Sequence, residues 1–289
     1  MRESSSSVAI VTPSFQQGRY LRACIESVLT QEVPIEYAVL DGGSTDESLG
    51  ILRGYGERFS WRSQPDSGQA TAVNDGLQRT RGEICAYLNS DDELRPQAAA
   101  RVVEFFARHP NVDVVYGRAN IIDAEGRVLR PAPTLPFNRA TLIEHCFICQ
   151  PAAFWRRRVH DRFGWFDPSF DNTFDYEFWL RIAKGGARFA YLDEILANSR
   201  EHPATKSQRR RAQIFAEIRR MQWKHLGYCG RNWWEQQLRF WRDESGAAWA
   251  RLLPGRKDQR MYRLAWWPYV FWRRRLGGPL FCRPGHWRA

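Results

Sequence analysis

The stretch Val8-Ala-Ile-Val-Thr-Pro-Ser-Phe15 decides the fold of this chain. It opens with a short apolar run that ends at Pro13. Such a run predicts a buried strand, because proline does not continue the hydrogen-bonding pattern of a central strand. The next segment carries apolar residues at helical spacing between Leu21 and Leu29, which predicts an amphipathic helix. A strand followed at once by a helix is the repeating unit of α/β proteins.

The alternation of strand and helix continues along the front of the chain. Strands are predicted at 37–40, 59–62, 84–88 and 112–116, and helices at 69–79 and 96–109. Another helix is predicted after Asp41, because Ser44 and Glu47 have the spacing of a capping box. The pattern predicts an α/β fold with a mostly parallel, Rossmann-like sheet and helices on both faces.

Polar residues follow four of the predicted strands. They form the clusters Thr12–Phe15, Asp41–Gly43, Gln64–Gly68 and Asn89–Asp92. Ligands of such sheets bind at the carboxyl ends of the strands, where carboxylates could hold a divalent cation and a diphosphate. The alternative is that Asp41 and Asp91 cap helices or turns.

Three common nucleotide and nucleophile motifs are absent from the sequence. No GxGxxG follows the first strand, and neither GxxxxGK[ST] nor GxSxG occurs. Dinucleotide-binding, P-loop and α/β-hydrolase functions are therefore not supported. A nucleotide bound at this sheet edge would need a metal ion and side chains to neutralise its phosphates.

The composition is that of a folded protein with a sizeable core. Of the 289 residues, 43% are hydrophobic and 14% aromatic, which excludes a disordered chain, and six Cys are too few for a disulfide scaffold. Residues 1–7 carry no apolar signal-peptide core, and no run of about 18 apolar residues occurs, so a cytoplasmic location is expected. Cys146-Phe-Ile-Cys149 lacks a second pair to complete a zinc site, which predicts buried thiols.

Basic charge and tryptophan are concentrated at the end of the chain. Residues 207–289 hold 19 Lys and Arg against 5 Asp and Glu, whereas residues 1–206 hold 24 against 27. Nine of the 13 Trp also belong to 207–289. We therefore predict one domain at 1–206 and a basic, Trp-rich helical extension at 207–289, which begins with a basic helix at 209–226.

A series of short stretches resembles the family 2 glycosyltransferases, which are inverting enzymes of the GT-A fold. The stretches are Val8–Phe15, Ser27–Gln31, Val39–Asp46, Asn74–Gly76, Arg81–Glu83, Leu88–Asp92 and Asp175–Leu180. They stand in the family's order and cover roughly residues 8 to 206. The details look most like bacterial members that build surface polysaccharides.

The resemblance implies a site for a nucleotide-sugar donor and a metal ion. It places the donor base and ribose against Thr12, Pro13, Phe15, Asp41 and Asp66, with Asn74 near the same pocket. Asp91 becomes the main ligand of Mn²⁺ or Mg²⁺. The family's aspartate-x-aspartate motif usually begins with Asp where this chain has Asn89, so Asn89 and Asp92 are assigned to the nucleotide sugar.

The resemblance also implies the catalytic base. It assigns this role to Asp175, which would take the proton of the acceptor hydroxyl as that oxygen attacks the anomeric carbon. Glu177 is the second candidate for the base. The alternative for Asp175 is a helix N-cap.

Two further stretches match the family in its later part. His202-Pro-Ala-Thr-Lys206 is similar to a segment near the diphosphate, where His202 would join the metal and Lys206 would pair with phosphate. Gln150–Trp155 matches a stretch on the acceptor side. Trp155 or Trp165 could stack on a sugar ring, and the alternative is that both are core aromatics.

The extension suits a membrane surface. In Met261–Arg275 an aromatic run too short to span a bilayer precedes an arginine triplet, as in proteins bound at an anionic headgroup layer. We predict peripheral association with the inner face of the cell membrane, where a lipid-linked acceptor can be reached. The alternatives are a solvated basic face, an oligomer contact, or a nucleic-acid-binding surface, although no nucleic acid is expected.

The predicted function is inverting transfer of a sugar from a nucleoside-diphosphate sugar to a hydroxyl of a glycan or polyprenyl-linked saccharide. UDP is the favoured nucleotide, and GDP and dTDP stay open. The alternative enzyme is a sugar nucleotidyltransferase, although Thr12–Gln17 occupies the place of its glycine-rich, Arg-containing loop. That enzyme would release pyrophosphate rather than a nucleoside diphosphate.

Overall fold

The structure is a computed structural model that describes residues 7–203, 205 and 209–243. Lys206 and the segment Met261–Arg275 lie outside the described residues. The described residues form two compact units. One comprises residues 7–137 and the described residues from Phe147 to Thr205, and the other comprises Asn138–Cys146 and residues 209–243. The domain boundary near residue 206 stays a prediction.

The first unit contains a nine-stranded sheet in the order β3-β2-β1-β4-β8-β6-β9-β5, with β7 paired to β6. The strands are β1 (Val8–Ser14), β2 (Ile35–Asp41), β3 (Ser60–Ser63), β4 (Ile84–Tyr87), β5 (Glu93–Leu94), β6 (Val114–Ile122), β7 (Val128–Pro131), β8 (Ala153–Arg156) and β9 (Phe189–Arg200). The α-helices of the described residues are α1 (Gly18–Leu29), α2 (Ser48–Gly54), α3 (Gln69–Arg79), α4 (Ala98–Arg108), α5 (Arg139–Glu144), α6 (Arg158–Phe163), α7 (Phe174–Lys184), α8 (Arg211–Leu226) and α9 (Arg231–Asp243). The α/β fold that the sequence predicts is confirmed.

The parallel part of the sheet is the core of the first unit. β1 is buried along its whole length and pairs in parallel with β2 and β4. Helix α3 packs on these strands at Gly76, where a Cβ atom would lie only 2.5 Å from Val11 Cγ1 and 2.8 Å from Leu40 Cδ2. A larger residue there would push the helix off the sheet. The carboxyl ends of β1 and β2, beside this contact, carry the polar clusters Thr12–Phe15 and Asp41–Gly43.

The predicted capping box before α2 is wrong. The helix begins at Ser48, and Glu47 occupies the N-cap position without a side-chain cap bond. Ser44 instead donates a hydrogen bond of 2.6 Å to Asp41 Oδ1, so it belongs to the turn after β2. The turn after β2 therefore continues to Glu47, and hydrogen bonds from Ser44 to the Asp41 carboxylate stabilise its first part.

Antiparallel strands bring distant parts of the chain to the same edge. β5 pairs with β9 in antiparallel register, with Glu93 opposite Asn198. The Asn89–Asp92 loop lies just before β5, and His202 follows β9 by two residues. This pairing therefore places the loop beside the residues that end β9.

The second unit is helical in its described part. Glu144, at the end of α5, accepts hydrogen bonds from the main-chain N–H groups of Arg231 (3.2 Å) and Asn232 (2.6 Å), which satisfies the start of α9. Gln222 on α8 donates to Ile143 O at 2.6 Å. Across the described residues of both units, every helix is too short or too polar to cross a bilayer.

Candidate functional site

Asp91 and His202 meet at the edge formed by the ends of the strands. His202 Nε2 lies 3.1 Å from Asp91 Oδ2, and Gln17 Nε2 donates to the same oxygen at 3.2 Å. The exposed fractions of Asp91 and His202 are only 9% and 7%. The sequence predicts both as metal ligands, and the pairing of β5 with β9 explains how residues 111 positions apart become neighbours.

Asp92 is turned away from this pair and into the protein. Its Oδ1 accepts a hydrogen bond from the Arg200 main-chain N–H at 2.8 Å, and its Oδ2 accepts one from Asn89 Nδ2 at 3.2 Å. Burial, followed by the charge of Asp91, raises the pKa of Asp92 well above its ordinary value. Asn89 Oδ1 in turn accepts from Gln69 Nε2 at 2.5 Å.

The side chain of Asn89 therefore has a structural task in this loop. Its amide donates to Asp92 and accepts from Gln69. An ionised aspartate at position 89 could not donate this hydrogen bond, and it would place two carboxyl groups in direct contact, where ionisation of both is unfavourable. The departure from the family's usual first aspartate has a physical reason in this chain.

The residues present fit a divalent cation that is shared with a phosphate ligand. Within the described part of the chain, no group of three or more His, Cys, Asp and Glu side chains surrounds one point. Asp91 and His202 offer one carboxylate and one imidazole, and Asp91 Oδ1 accepts no hydrogen bond from the described residues. Mg²⁺ is usually bound by one or two carboxylates together with substrate phosphates. Two protein ligands are therefore enough for such a site.

Thr12 and Asp41 are buried at the ends of β1 and β2. Thr12 is fully buried, and its Oγ1 lies 3.0 Å from the Tyr37 hydroxyl, so its side chain faces the core. Asp41 Oδ2 accepts from Ser44 N at 2.9 Å and from Ser63 Oγ at 2.6 Å. These contacts fix the loop after β2, and the donor contacts that the resemblance implies for both residues stay predictions.

Phe15 and Asp66 lie on the exposed side of the same edge. Phe15 is 61% exposed, an unusual state for a large aromatic side chain, and it follows Pro13 and the end of β1. A Cβ atom on Gly42 would lie 3.3 Å from both Phe15 Cδ2 and Asp66 Oδ2. The two side chains therefore flank Gly42, and the donor contacts that the resemblance implies for them stay predictions.

Asp175 lies in the first turn of α7. Thr173 occupies the N-cap position, so the alternative of Asp175 as the N-cap is wrong. The carboxylate is half-buried, and its Oδ1 accepts from the adjacent Tyr176 N–H at 2.8 Å. Burial raises the pKa of Cys149 to about 12, with the charges of Asp92 and Asp175 adding to the effect. The ring of Phe174, the residue before Asp175, lies 5.5 Å from the ring of Tyr87 at the end of β4, so the first turn of α7 lies near the Asn89–Asp92 loop.

Glu177 is not available as a base. It is fully buried, and Arg181 Nε and Nη2 donate to its two carboxylate oxygens at 2.8 and 3.0 Å. Arg181 also donates to Trp165 O at 2.8 Å. This ion pair ties α7 to the preceding loop, and Asp175 is the more exposed of the two carboxylates in the first turn of this helix.

Three other predicted residues have structural partners. Asn74 Nδ2 donates to Phe166 O at 2.8 Å and Asn74 Oδ1 accepts from Phe166 N at 3.1 Å, so its amide binds a loop, and its predicted place near the donor stays a prediction. Trp155 is fully buried and its Nε1 donates to His160 Nε2 at 2.8 Å, which excludes stacking on a sugar. Trp165 is half-buried and stacks on His160 with ring centroids 4.2 Å apart.

Sequence reasoning missed Gln17, Gln69 and Arg200. Gln17 binds Asp91, Gln69 binds Asn89, and Arg200 binds the main chain at Asp91. Gln17 and Gln69 each end a stretch that the sequence pattern singles out, after β1 and after β3, but neither was given a role, and Arg200 belongs to no such stretch. The signal that could have indicated a role is their position at the end of an element: Gln17 precedes α1, Gln69 begins α3, and Arg200 ends β9.

The chain is similar to known glycosyltransferases. The family model described as glycosyl transferase family 2 matches residues 9–164. Chondroitin synthase of Escherichia coli is 28% identical over 195 residues, which are 66% of this chain and 28% of that protein. The chain therefore spans less than a third of the length of this relative.

Solved structures share the fold at low sequence identity. TarS residues 1–349 of S. aureus, in complex with UDP-GlcNAc, matches with a TM-score of 0.65 and 16% identity over 90% of this chain and 79% of that one. The mannosyltransferase PcManGT of Pyrobaculum calidifontis, in complex with GDP-Man and Mn²⁺, matches with a TM-score of 0.55 and 17% identity over 94% and 76%. The predicted GT-A fold is confirmed by these likenesses.

Proposed function

Because this chain belongs to glycosyl transferase family 2, we propose that it transfers a sugar from a nucleoside-diphosphate sugar, with a UDP-sugar favoured, to a hydroxyl group of a glycan or polyprenyl-linked saccharide. The observation that carries the proposal is the pair Asp91–His202 at the strand ends, with the first turn of α7, which carries Asp175, packed on the end of β4. The relative that makes chondroitin supports an acceptor in polysaccharide synthesis. The predicted extension would hold the enzyme at an anionic membrane surface.

The donor nucleotide would bind between Phe15 and the Asp66 loop. The exposed ring of Phe15 offers a stacking surface for a base, and Asp66 offers an acceptor for ribose or base donors. Asp41 would act by holding the turn that carries Gly42 and Gly43. The UDP-GlcNAc in TarS and the GDP-Man in PcManGT support a nucleotide-sugar donor of this class.

A divalent cation, Mn²⁺ or Mg²⁺, would be held by Asp91 and His202. When bound, it would neutralise the negative charge that develops on the departing diphosphate. Asp92 and Asn89 would support this site by fixing the loop that carries Asp91, since their own polar atoms bind each other and Arg200. The Mn²⁺ in PcManGT supports a cation in this fold.

Asp175 would act as the base of a single, inverting displacement. Its carboxylate accepts the proton of the acceptor hydroxyl while that oxygen forms a bond to the anomeric carbon. The bond from the anomeric carbon to the diphosphate breaks, and its electron pair leaves with the nucleoside diphosphate. The pairing of Glu177 with Arg181 supports Asp175 over Glu177 for this step.

Calorimetric titration of UDP, GDP and dTDP, each with and without Mn²⁺, tests the donor site. We expect one nucleotide to bind in a Mn²⁺-dependent manner to the wild type and not to Asp91→Ala. Asp113→Ala is the matched control, because Asp113 is as buried as Asp91, pairs with Arg158, and lies just before β6, at the end of this strand away from Arg200. Equal binding by the wild type and Asp91→Ala would contradict the cation site.

Product analysis then tests the reaction. A donor sugar panel should release the nucleoside diphosphate, and NMR of the product should show an inverted anomeric centre. Release of pyrophosphate would instead indicate a sugar nucleotidyltransferase. Retention at the anomeric carbon would contradict the role of Asp175.

A further inference from the structure

We propose that Arg200 is a positioning residue that holds the two cation ligands, Asp91 and His202, in register. The proposal rests on the function proposed above, because it concerns the same cation site. Arg200 would act through these ligands rather than touch the substrate. The case depends on its contacts, its burial and its place in the chain.

The side chain of Arg200 binds the loop that carries Asp91. Its Nε donates to Asp91 O at 2.8 Å, and its guanidinium forms an ion pair with Glu93. Its own main-chain N–H donates to Asp92 Oδ1 at 2.8 Å. Arg200 of β9 thus binds three consecutive residues, Asp91 and Asp92 of the loop and Glu93 at the start of β5.

The same guanidinium also reaches the turn after β6 and the ring of Tyr20. Arg200 Nη1 donates to Asp123 O at 2.8 Å and to Ala124 O at 3.3 Å. The guanidinium carbon lies 5.0 Å from the centroid of the Tyr20 ring, within the range of a cation–π interaction. That ring lies 4.9 Å from the ring of His202. Tyr20 therefore lies against both Arg200 and His202.

This arrangement connects the two cation ligands physically. Asp91 is held through its main chain, and His202 is held by Tyr20 and by its sequence position two residues after Arg200. Arg200 contributes to both restraints. The residues that orient a metal ligand affect the site strongly, and their loss typically costs about 10- to 100-fold in metal affinity or activity.

Only arginine fits this position. The Arg200 side chain is 4% exposed, and burying its charge is costly unless it is paired and hydrogen-bonded. Glu93 supplies the opposite charge, and three carbonyl oxygens occupy the planar fork of donors. A lysine would keep the charge but has one compact donor group, so it cannot hold all these partners at once.

Titration of Mn²⁺ in the presence of UDP, with Arg200→Lys against the wild type, tests the proposal. We expect Mn²⁺ to bind about 10- to 100-fold more weakly to the variant. Arg156→Lys is the matched control, because Arg156 also donates to carbonyls, Phe106 O at 2.7 Å and Val112 O at 3.0 Å, and lies over the Phe106 ring. The control should lose thermal stability without losing Mn²⁺ affinity.

A purely structural role for Arg200 would give a different result. Mn²⁺ affinity equal to that of the wild type, in folded Arg200→Lys, would overturn the proposal while leaving the glycosyltransferase function intact. Wild-type protein that binds neither Mn²⁺ nor UDP would overturn the proposed function itself. The two failures are therefore distinguishable in one set of titrations.

A second pair of variants keeps the proposal testable if Arg200→Lys does not fold. Tyr20→Leu removes the ring between Arg200 and His202, whereas Tyr20→Phe keeps it. We expect weaker Mn²⁺ binding in Tyr20→Leu and wild-type binding in Tyr20→Phe. Equal Mn²⁺ affinity in the two variants would overturn the connection between Arg200 and His202 on which the proposal depends.

Discussion

The two sides of the candidate site are held together by different forces. On the side of the proposed cation site (the cation side), Asp91, Asp92 and Asn89 are fixed by hydrogen bonds, each with two or three specific partners. On the α7 side, Phe174 and Phe178 pack into an aromatic cluster beneath the first turn of the helix. A hydrogen-bonded network fails when one partner is lost, whereas the energy of aromatic packing is spread over many contacts. Substitutions on the cation side should therefore change binding, and those on the α7 side should change stability.

Asp175 is the residue that should break this rule most strongly. It belongs to α7 but has no part in the aromatic cluster, and it is half-buried at the edge. We expect Asp175→Asn to lower kcat by about 10² to 10⁴ because the general base is lost. Nucleotide affinity and melting temperature should stay at wild-type values, which calorimetry and thermal unfolding measure. A loss of activity below tenfold would argue against this assignment.

Glu177, two residues later, should show the opposite behaviour. Removing its buried carboxylate leaves the Arg181 guanidinium without its partner, so we expect Glu177→Ala to lower the free energy of unfolding by about 3 kcal/mol. Denaturant unfolding measures the loss, and Glu177→Gln, which keeps an acceptor oxygen, should lose less. If folded Glu177→Gln lost as much kcat as Asp175→Asn, Glu177 would be the base.

The aromatic cluster should also make the α7 side sensitive to acid. His160 is buried between Trp165 and Phe178, and Trp155 Nε1–H donates to its Nε2, so Nδ1 carries the proton shared with Gly164 O. Burial lowers the pKa of His160 from 6.5 to about 4, and the charges of Arg157 and Arg181 act in the same direction.

The pH dependence follows from the direction of this shift. Between about pH 6.5 and pH 4 the unfolded chain binds a proton at position 160 that the folded protein does not, so stability is lost as the pH falls. The full loss from this group is about 3 kcal/mol. Denaturant unfolding at pH 7 and pH 4.5 should show a smaller decrease for His160→Gln than for the wild type. Equal decreases would mean that other groups cause the acid sensitivity.

The parallel half of the first unit could be predicted from the sequence because its signals are local. The apolar run at Val8 and the helical spacing from Leu21 to Leu29 each fall within one element, and the structure places β1 and α1 there. The strand predicted at 84–88 is β4, at Ile84–Tyr87. Buried parallel strands form continuous apolar runs, which makes them readable.

The antiparallel half could not be predicted in the same way. β9 is half-exposed over its first seven residues, and β5 has only two residues, so neither has a clear pattern. The position of Arg200 depends on the pairing of these two strands. Such non-local contacts are set by the whole fold. For this reason family resemblance predicts Asp91 and His202 as cation ligands, whereas the sequence gives no indication of Arg200, which we propose to hold them.

Phe15 provides the smallest expected effect and the sharpest separation of binding from stability. Its ring is 61% exposed and contributes little to the core, so Phe15→Ala should leave the melting temperature unchanged. Stacking of a base on an aromatic ring contributes about 1–3 kcal/mol, so UDP affinity should fall by about tenfold. Leu129→Ala on β7 is the matched control, because Leu129 is equally apolar and 56% exposed but outside the site. If both variants kept wild-type UDP affinity in calorimetry, the base would bind elsewhere on the edge, and the Asp66 loop would be the next place to test.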